Sequence, residues 1–401
     1  MLSRNRSAVF LPLESVRGLC AVTIVYHHLK WSHWIGDLGV VANASLLVEL
    51  FFALSAFVMA HRYLDRIADV ADYLRFMWLR AARILPLHLA VLGVWLACGV
   101  HEIAAADGSP VDLVASPDFL KRVFLLHAVF GSELPWNVPS WSVAVEAWAY
   151  VAFGGVLVAT ASRRRTLAAV FATTAVATFL LLAFVLPEGI FDFTGPATLA
   201  RCMYAFSLGA LGYVAFEALG LQDRHLPSAV ATCMEIACIA ALFSTITIFG
   251  DSAYAVAVPV LFPVVLCVLA WGRGLISSLL RLRWLVGLGT LSYSIYMLHA
   301  GLWAVGMKAV RALDAQTPFT GYSKTHPGQL EFFGSTPATF LVATGFVAFV
   351  VLCSAVSYRF LERPARDAMR RWIEPGTRTA PAAASPNGAI AISDTRAMPT
   401  A

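Results

Sequence analysis

The sequence predicts an all-α fold: a polytopic membrane protein with about ten transmembrane helices and both termini in the cytoplasm. Three observations predict it. Apolar residues make up 59% of the 401 and charged residues only 13%, where a soluble domain carries about 25% charged residues. With a mean hydropathy of +0.73, the chain has more apolar surface than a water-soluble core can hide, so lipid must be its main solvent. The apolar residues also fall into runs of about 20, the length of a membrane-crossing helix. Finally, the cationic residues are distributed asymmetrically between the connecting segments.

The runs justify the elements one by one. The first, Pro12–Leu29, is interrupted by Glu14 and Arg17 and is followed by no small-residue cleavage site, so it reads as a retained helix rather than a signal peptide. Val40–Ala60 and Ile84–Val100 follow. Phe119–Phe130 is too short to span and carries Lys121, Arg122 and His127, which suits the interface. Then come Trp141–Thr160, Leu167–Leu186, Ala197–Leu219, Ala229–Phe249, Ala253–Trp271, Leu285–Val305 and Ala338–Tyr358. With the N-terminus inside, 22 of the 29 lysines and arginines fall in cytoplasmic segments and six in outer loops, with Arg201 inside a span. That bias sets the orientation. From Glu374 onward the chain is rich in Ala, Pro, Ser and Thr and reads as a disordered cytoplasmic tail over 374–401. No appended soluble domain is expected.

Composition also excludes functions. The net charge of +5 is spread over loop flanks, with no basic face suited to nucleic acid. The seven cysteines lie in apolar runs without CxxC or metal-ligand spacing and read as small core residues. No metal is expected.

Charge in a bilayer centre costs about 2.5–3.5 kcal/mol on insertion scales, so intramembrane titratable groups are functional suspects. In "RGLCAVTIVYHHL", Arg17 and His28 are eleven residues apart. At about 100° per residue they share one helix face, about 16 Å apart, while His27 falls about 80° off it. Either His28 lines a functional surface with Arg17, or both histidines are interfacial anchors. In "WSVAVEAWAY", Glu146 lies about 7–8 Å below Trp141, at a depth where it can meet His28. A carboxylate beside a histidine makes a workable general base. The other reading pairs Glu146 with Arg201. Arg80 and Arg83 stand one turn apart at the cytoplasmic edge of the third span, near Arg62 and Arg75. They are either phosphate-binding forks or a plain positive-inside flank. In "LSYSIYMLHA", Ser292, Tyr293, Ser294, Tyr296 and His299 either line a cavity or hydrogen-bond between helices.

These stretches, in this order, resemble the membrane-bound acyltransferase-3 family of bacterial enzymes that O-acylate glycans and some small molecules. The resemblance runs from Leu13 to Arg366. It rests on Arg17 and His28 at the family's spacing, "LVELFFALSAF" (Leu47–Phe57), "RAARILPLH" (Arg80–His88), "WSVAVE" (Trp141–Glu146), "SYSIYMLH" (Ser292–His299) and the closing Glu362–Pro364. Glu49 stands where the family usually has Asp, Ala56 where it has Gly and His88 where Tyr is common, and His27 takes a usually aromatic place.

The resemblance implies an acyltransferase-3-like transmembrane domain over 11–366 in the bacterial inner membrane. It implies transfer of an acyl group, often acetyl, from cytoplasmic acyl-CoA to a hydroxyl of a surface glycan, an exopolysaccharide or a lipid-linked precursor. No permanently bound cofactor is expected. Many relatives carry a fused extracytoplasmic hydrolase-like domain, so without one this chain is expected to deliver the acyl group directly or to a separate periplasmic transferase. His28 would be the catalytic base or would accept the acyl group first, and Glu146 would orient it or bind the sugar. Arg17, Arg80 and Arg83 would bind the donor, and Trp141, Ser142, Tyr293 and His299 would bind substrate. Rival readings are a small-molecule acylase, a lipid-linked sugar transporter and a structural assembly subunit. The outer loops Val100–Ser140 and Met307–Pro337, which would choose the acceptor, carry no legible motif.

Overall fold

The structure is a computed structural model that describes residues 10–29, 31, 33–105, 116–132, 136–186, 195–316, 322–324 and 330–373. The expected tail over 374–401 lies outside these residues. Among the described residues, nine helical stretches are long and apolar enough to cross a membrane. The expected tenth span forms helix α1, Leu11–His28. Glu14, Arg17 and two histidines make it less apolar than the others, and neighbouring helices surround it. Short α2 (Gly39–Ala42) leads into α3 (Leu46–Tyr63), so the second span starts later than the expected Val40. Asn43 breaks the helix there, and its side-chain amide donates to the Ile246 carbonyl at 3.0 Å.

Helix α4, Val70–Ala105, starts well before the expected Ile84 and runs on through Pro86. Arg75, Arg80 and Arg83 therefore ride on one continuous helix with the third span. The interfacial segment folds as α5 (Pro117–Val123) and α6 (His127–Phe130). Next come α7 (Ser140–Ala159), α8 (Arg164–Leu180, prolonged by a π turn to Val185) and α9 (Pro196–Ala218). Helix α10 is Ser228–Phe249. A 3₁₀ stretch, Ala253–Leu261, then precedes α11 (Phe262–Trp271). Pro259 and Pro263 lack the amide protons a regular helix would need there. Short α12 (Leu275–Leu279) precedes α13 (Arg283–Gln316), α14 (Thr336–Ser357) and α15 (Arg363–Ile373). One hairpin departs from the all-α plan: β1 (Tyr322–Lys324) pairs antiparallel with β2 (Leu330–Phe332).

The helices divide into a centre and a rim. Of α3's apolar window 78% is buried, against 17% for Arg164–Val185 and 22% for α10. The rim helices present apolar side chains such as Val176, Phe184 and Ile248 outward, as a lipid-facing surface requires. Small residues let the central helices approach closely. A methyl group on Gly18 of α1 would lie 2.5 Å from the Gly289 backbone nitrogen of α13, and one on Gly289 would strike the Glu14 carbonyl. Gly209 of α9 is pressed just as tightly against the Ala53 backbone of α3. All seven cysteines are unpaired, with Cys20 and Cys202 buried as expected. Cys233 departs from expectation, standing exposed on α10 because it faces outward on a rim helix.

Candidate active site

Two kinds of chemistry meet on the face that α1 shares with α13. At one end of the pair, cavities run into the bundle. The outermost, about 530 Å³, lies between α4, the end of α3 and α15 and is lined by Arg62, Arg66, Arg75, Arg80, Arg83, Arg366 and Arg370 against Asp72 and Asp367. A narrower chamber of about 150 Å³ continues inward past Arg17, Arg62, Arg80 and Arg83 to Ser142, Glu146, Tyr150, Tyr293 and Tyr296. A side chamber of about 230 Å³ is bounded by Arg17, Arg83, Tyr358, Glu362 and Arg366. Arginines outnumber carboxylates in this lining, which gives this end a positive potential.

Each arginine is held differently. Arg17 forms an ion pair with Glu14, one turn earlier on α1, and its Nε donates to Ser292 Oγ at 3.1 Å. That second bond ties α1 to α13. Arg80 sits in an aromatic box with its guanidinium carbon 5.7, 5.8 and 5.9 Å from the ring centres of Tyr63, Phe76 and Tyr150. Its Nε is buried without a hydrogen-bond acceptor. Arg83 makes no hydrogen bond or ion pair among the described residues. The Arg80 terminal nitrogens donate to the Tyr63 hydroxyl at 3.4 Å and to Met59 Sδ at 3.5 Å, while the Arg83 guanidinium lines the cavities with no protein acceptor among the described residues.

Glu146 lies deep in the narrow chamber. Its Oε1 accepts from the Tyr150 hydroxyl at 2.6 Å, and that hydroxyl lies 2.8 Å from Ser55 Oγ. The expectation that Glu146 orients His28 is corrected, because among the described residues no hydrogen bond or ion pair joins them. The alternative, Glu146 with Arg201, fails as well. Arg201 Nε donates instead to Glu49 at 2.8 Å in a buried pair. Helix α9 brings Arg201 to α3, and Glu49's side chain reaches it there. Trp141 backs that pair, with the Arg201 guanidinium 5.2 Å from its ring centre. At 5% exposure it is a buried packing ring and is not part of the chamber lining.

At the far end of α1, His28 meets His299 of α13. The rings are 4.9 Å apart, with His299 Nε2 3.3 Å from His28 Nδ1. The tautomers follow from the partners. His28 Nδ1 lies 2.9 Å from the Ile24 carbonyl and His299 Nδ1 2.6 Å from the Tyr296 carbonyl. A carbonyl can only accept, so each Nδ1 carries a proton and each Nε2 a lone pair. His299 Nε2 can then share the His28 Nδ1 proton, which leaves Nε2 as the basic nitrogen of His28. His27 turns away, its Nδ1 2.9 Å from the Val41 carbonyl. It fastens α1 to α2.

Tyr296 connects the two ends. Its hydroxyl lines the chamber and lies 2.9 Å from Ser142 Oγ, while its carbonyl holds His299. Tyr293 also lines the chamber, and its hydroxyl donates to the Ile84 carbonyl at 2.7 Å. Both readings of "SYSIYMLH" therefore hold at once: these side chains bridge helices and border a cavity. Ser294 is purely structural, donating to Glu362. Sequence reasoning missed Glu14, Tyr150 and the α15 arginines Arg366 and Arg370. The last two had a signal, since they follow the closing Glu362–Pro364 at helical spacing, but they read as ordinary cytoplasmic flank.

Beyond this site, Arg122 donates to the Trp136 carbonyl, and the Ser132 hydroxyl is 3.3 Å from its Nε. Burial lowers the Arg122 guanidinium to about 10. His127 Nε2 lies 3.0 Å from Ser140 Oγ. Burial first, then Arg122 and His88, push the His127 imidazole down to about 3.

A family model described as "Acyltransferase domain" matches residues 12–359. "Protein 2 in picA locus" of Rhizobium radiobacter is 30% identical over 112 residues, covering 28% of this chain and 56% of that protein. The chain thus spans about half the length of that relative. No solved structure matches the chain.

Proposed function

The chain belongs to the acyltransferase-3 family of membrane acyltransferases, and from that premise we propose that it moves an acyl group, acetyl in the simplest case, from acyl-CoA to a hydroxyl of a surface glycan, an exopolysaccharide or a lipid-linked precursor. The observation that carries this reading is the continuity of the arginine-lined cavities with a chamber that ends one residue, Tyr296, short of the His28–His299 pair. The protein would sit in the bacterial inner membrane with the arginine end facing the cytoplasm, where acyl-CoA is made. The positive-inside bias supports that orientation.

In this reading the CoA diphosphate rests on Arg80 and Arg83, and the pantetheine arm enters the narrow chamber past Arg17, Ser142 and Tyr293. Glu146 accepts hydrogen bonds from the arm's amide protons. His28 Nε2 removes the acceptor's hydroxyl proton as that oxygen attacks the thioester carbonyl. A C–O bond forms and the C–S bond breaks. The proton held by His28 then goes to the departing CoA thiolate. General-base help of this kind is worth about 10²–10⁴-fold. His299 steadies the required tautomer of His28, the task first expected of Glu146.

The test is transfer of label from acyl-CoA by the purified, bilayer-reconstituted chain, with glycans of wild-type and deletion strains compared by mass spectrometry. Donor-dependent labelling and loss of one glycan acyl group are expected. Glycans identical in the two strains would remove the glycan acceptor, and hydrolysis or transfer without acyl-CoA would remove the donor.

A further inference from the structure

Away from the arginine-lined cavities, a further groove opens on the rim of the bundle. It has a volume of about 430 Å³ and lies between the α9–α10 turn, α10 and α11. The turn supplies Leu221, Arg224, His225 and Leu226. Helix α10 adds Met234, and α11 adds Cys267, Val268 and Trp271. The groove is at the arginine end of the molecule. Arg164 pairs both with Asp65, just after α3, and with Glu217 at the end of α9, so α3 and α9 end side by side.

The turn is held in place by its own hydrogen bonds. Trp271 Nε1 donates to the Arg224 carbonyl at 3.0 Å, and Arg273 donates to the Gln222 carbonyl at 3.3 Å. Arg224 Nε donates to the Leu219 carbonyl at 3.1 Å, while its Nη atoms have no acceptor among the described residues. Below this polar rim the wall is apolar. Met234 lies about 9 Å along α10 from Ser228, and Cys267 about 6 Å along α11 from Trp271. No carboxylate lines the groove. Glu235, next to Met234, is turned away and accepts from the Gly274, Ile276 and Ser277 amides. Uncompensated positive charge at the water edge thus stands directly over an apolar wall. That wall is on the lipid side, since only 22% of α10's apolar window is buried. Trp271 sits at the junction, as tryptophan does where headgroups meet chains.

We propose that this groove holds one anionic glycerophospholipid, with its phosphate on Arg224 and His225 and an acyl chain along Met234, Cys267 and Val268. Basic pockets between membrane helices recognise such headgroups by charge. A soluble phosphate would leave the apolar wall uncovered, and a zwitterionic lipid would bring a second cation against Arg224. The bound lipid joins the α9–α10 turn to α10 and α11. The site is independent of the donor reading, because it shares no residue with the arginine-lined cavities.

The test is native mass spectrometry of the full chain in detergent, titrated with phosphatidylglycerol and with phosphatidylcholine of the same chain length. One arginine at a membrane surface predicts about a fivefold preference for the anionic lipid, read as one retained phosphatidylglycerol. Arg224→Gln should abolish that preference. Met234→Trp, which fills the groove, should weaken retention of both lipids. Arg165→Gln, exposed at the same end on α8 and outside the groove, should keep the preference. Equal retention of the two lipids by the wild type, or a preference that survives Arg224→Gln, overturns the site. Retention unchanged in Met234→Trp overturns the placement of the chain. Glycerophosphoglycerol, the headgroup without chains, should bind far more weakly, and binding as tight as that of the whole lipid overturns the lipid assignment in favour of a soluble phosphate. The wild-type comparisons need no variant, so misfolding of a variant does not shield the proposal.

Discussion

At one end of the α1–α13 pair, arginines ring open cavities; at the other, two imidazoles close on each other at 3.3 Å. The arginine end is wide, charged and polar, and several of its donors have no protein acceptor. At the histidine end His28 is exposed and His299 buried, and two backbone carbonyls accept from their Nδ1 atoms. In the proposed reading the first arrangement receives a polyanion, because the arginines lining it outnumber the carboxylates. A general base requires the second, because an imidazole beside strong positive charge would lose its basicity. Tyr296 lies between the two ends, its hydroxyl 2.9 Å from Ser142 Oγ and its carbonyl holding His299, so the proposed binding and the proposed chemistry can be disturbed independently.

That independence can be broken or sharpened experimentally. The largest effect is expected for His28→Ala, with transfer down about 10²–10⁴-fold and CoA affinity by calorimetry unchanged. A parallel loss of CoA affinity would show that the two ends are one site. Next is Arg83→Ala, for which the KM for acyl-CoA should rise about tenfold, about 1.4 kcal/mol of binding, with kcat nearly retained. A fall confined to kcat would move Arg83 into the chemistry. His27→Ala should lose one hydrogen bond, about 1 kcal/mol, visible as a lower Tm in detergent while most transfer survives. If transfer falls as far as in His28→Ala, the assignment between the two histidines is wrong. A last prediction lies outside the two ends and concerns His127, whose folded-state pKa of about 3 lies below the ordinary value of about 6.5. The unfolded chain then binds the extra proton, so its contribution to stability is full above pH 6.5 and is lost as pH falls toward 3. His127→Asn should flatten that part of a Tm-against-pH profile, and an unchanged profile would exclude it.

Legibility in the sequence followed distance along the chain. The shared face of Arg17 and His28 was readable because both lie on one helix, where rise and rotation are constant. The pairing of Arg80 with Arg83 was readable for the same reason. Glu146 with His28 was guessed from depth alone, and depth does not say which way a helix is rotated about its axis. Rotation turned Glu146 into the chamber beside Tyr150 and brought His299 to His28. Arg201 was correctly marked as an intramembrane charge, but its partner proved to be Glu49, on a helix far away in sequence.

The sequence by itself determined the family, the all-α membrane class and which residue types would be costly in lipid, because hydropathy, helical period and motif order are properties of the linear chain. Only the tertiary structure decided which costly groups meet. The close approaches at Gly18–Gly289 and Gly209–Ala53 set how α1, α13, α3 and α9 face one another. That packing placed the histidines together, sent Glu146 to the chamber and brought the C-terminal helix against α4 at the rim of the arginine-lined cavity. Such choices depend on shape complementarity between helices distant in sequence, and no local pattern encodes it.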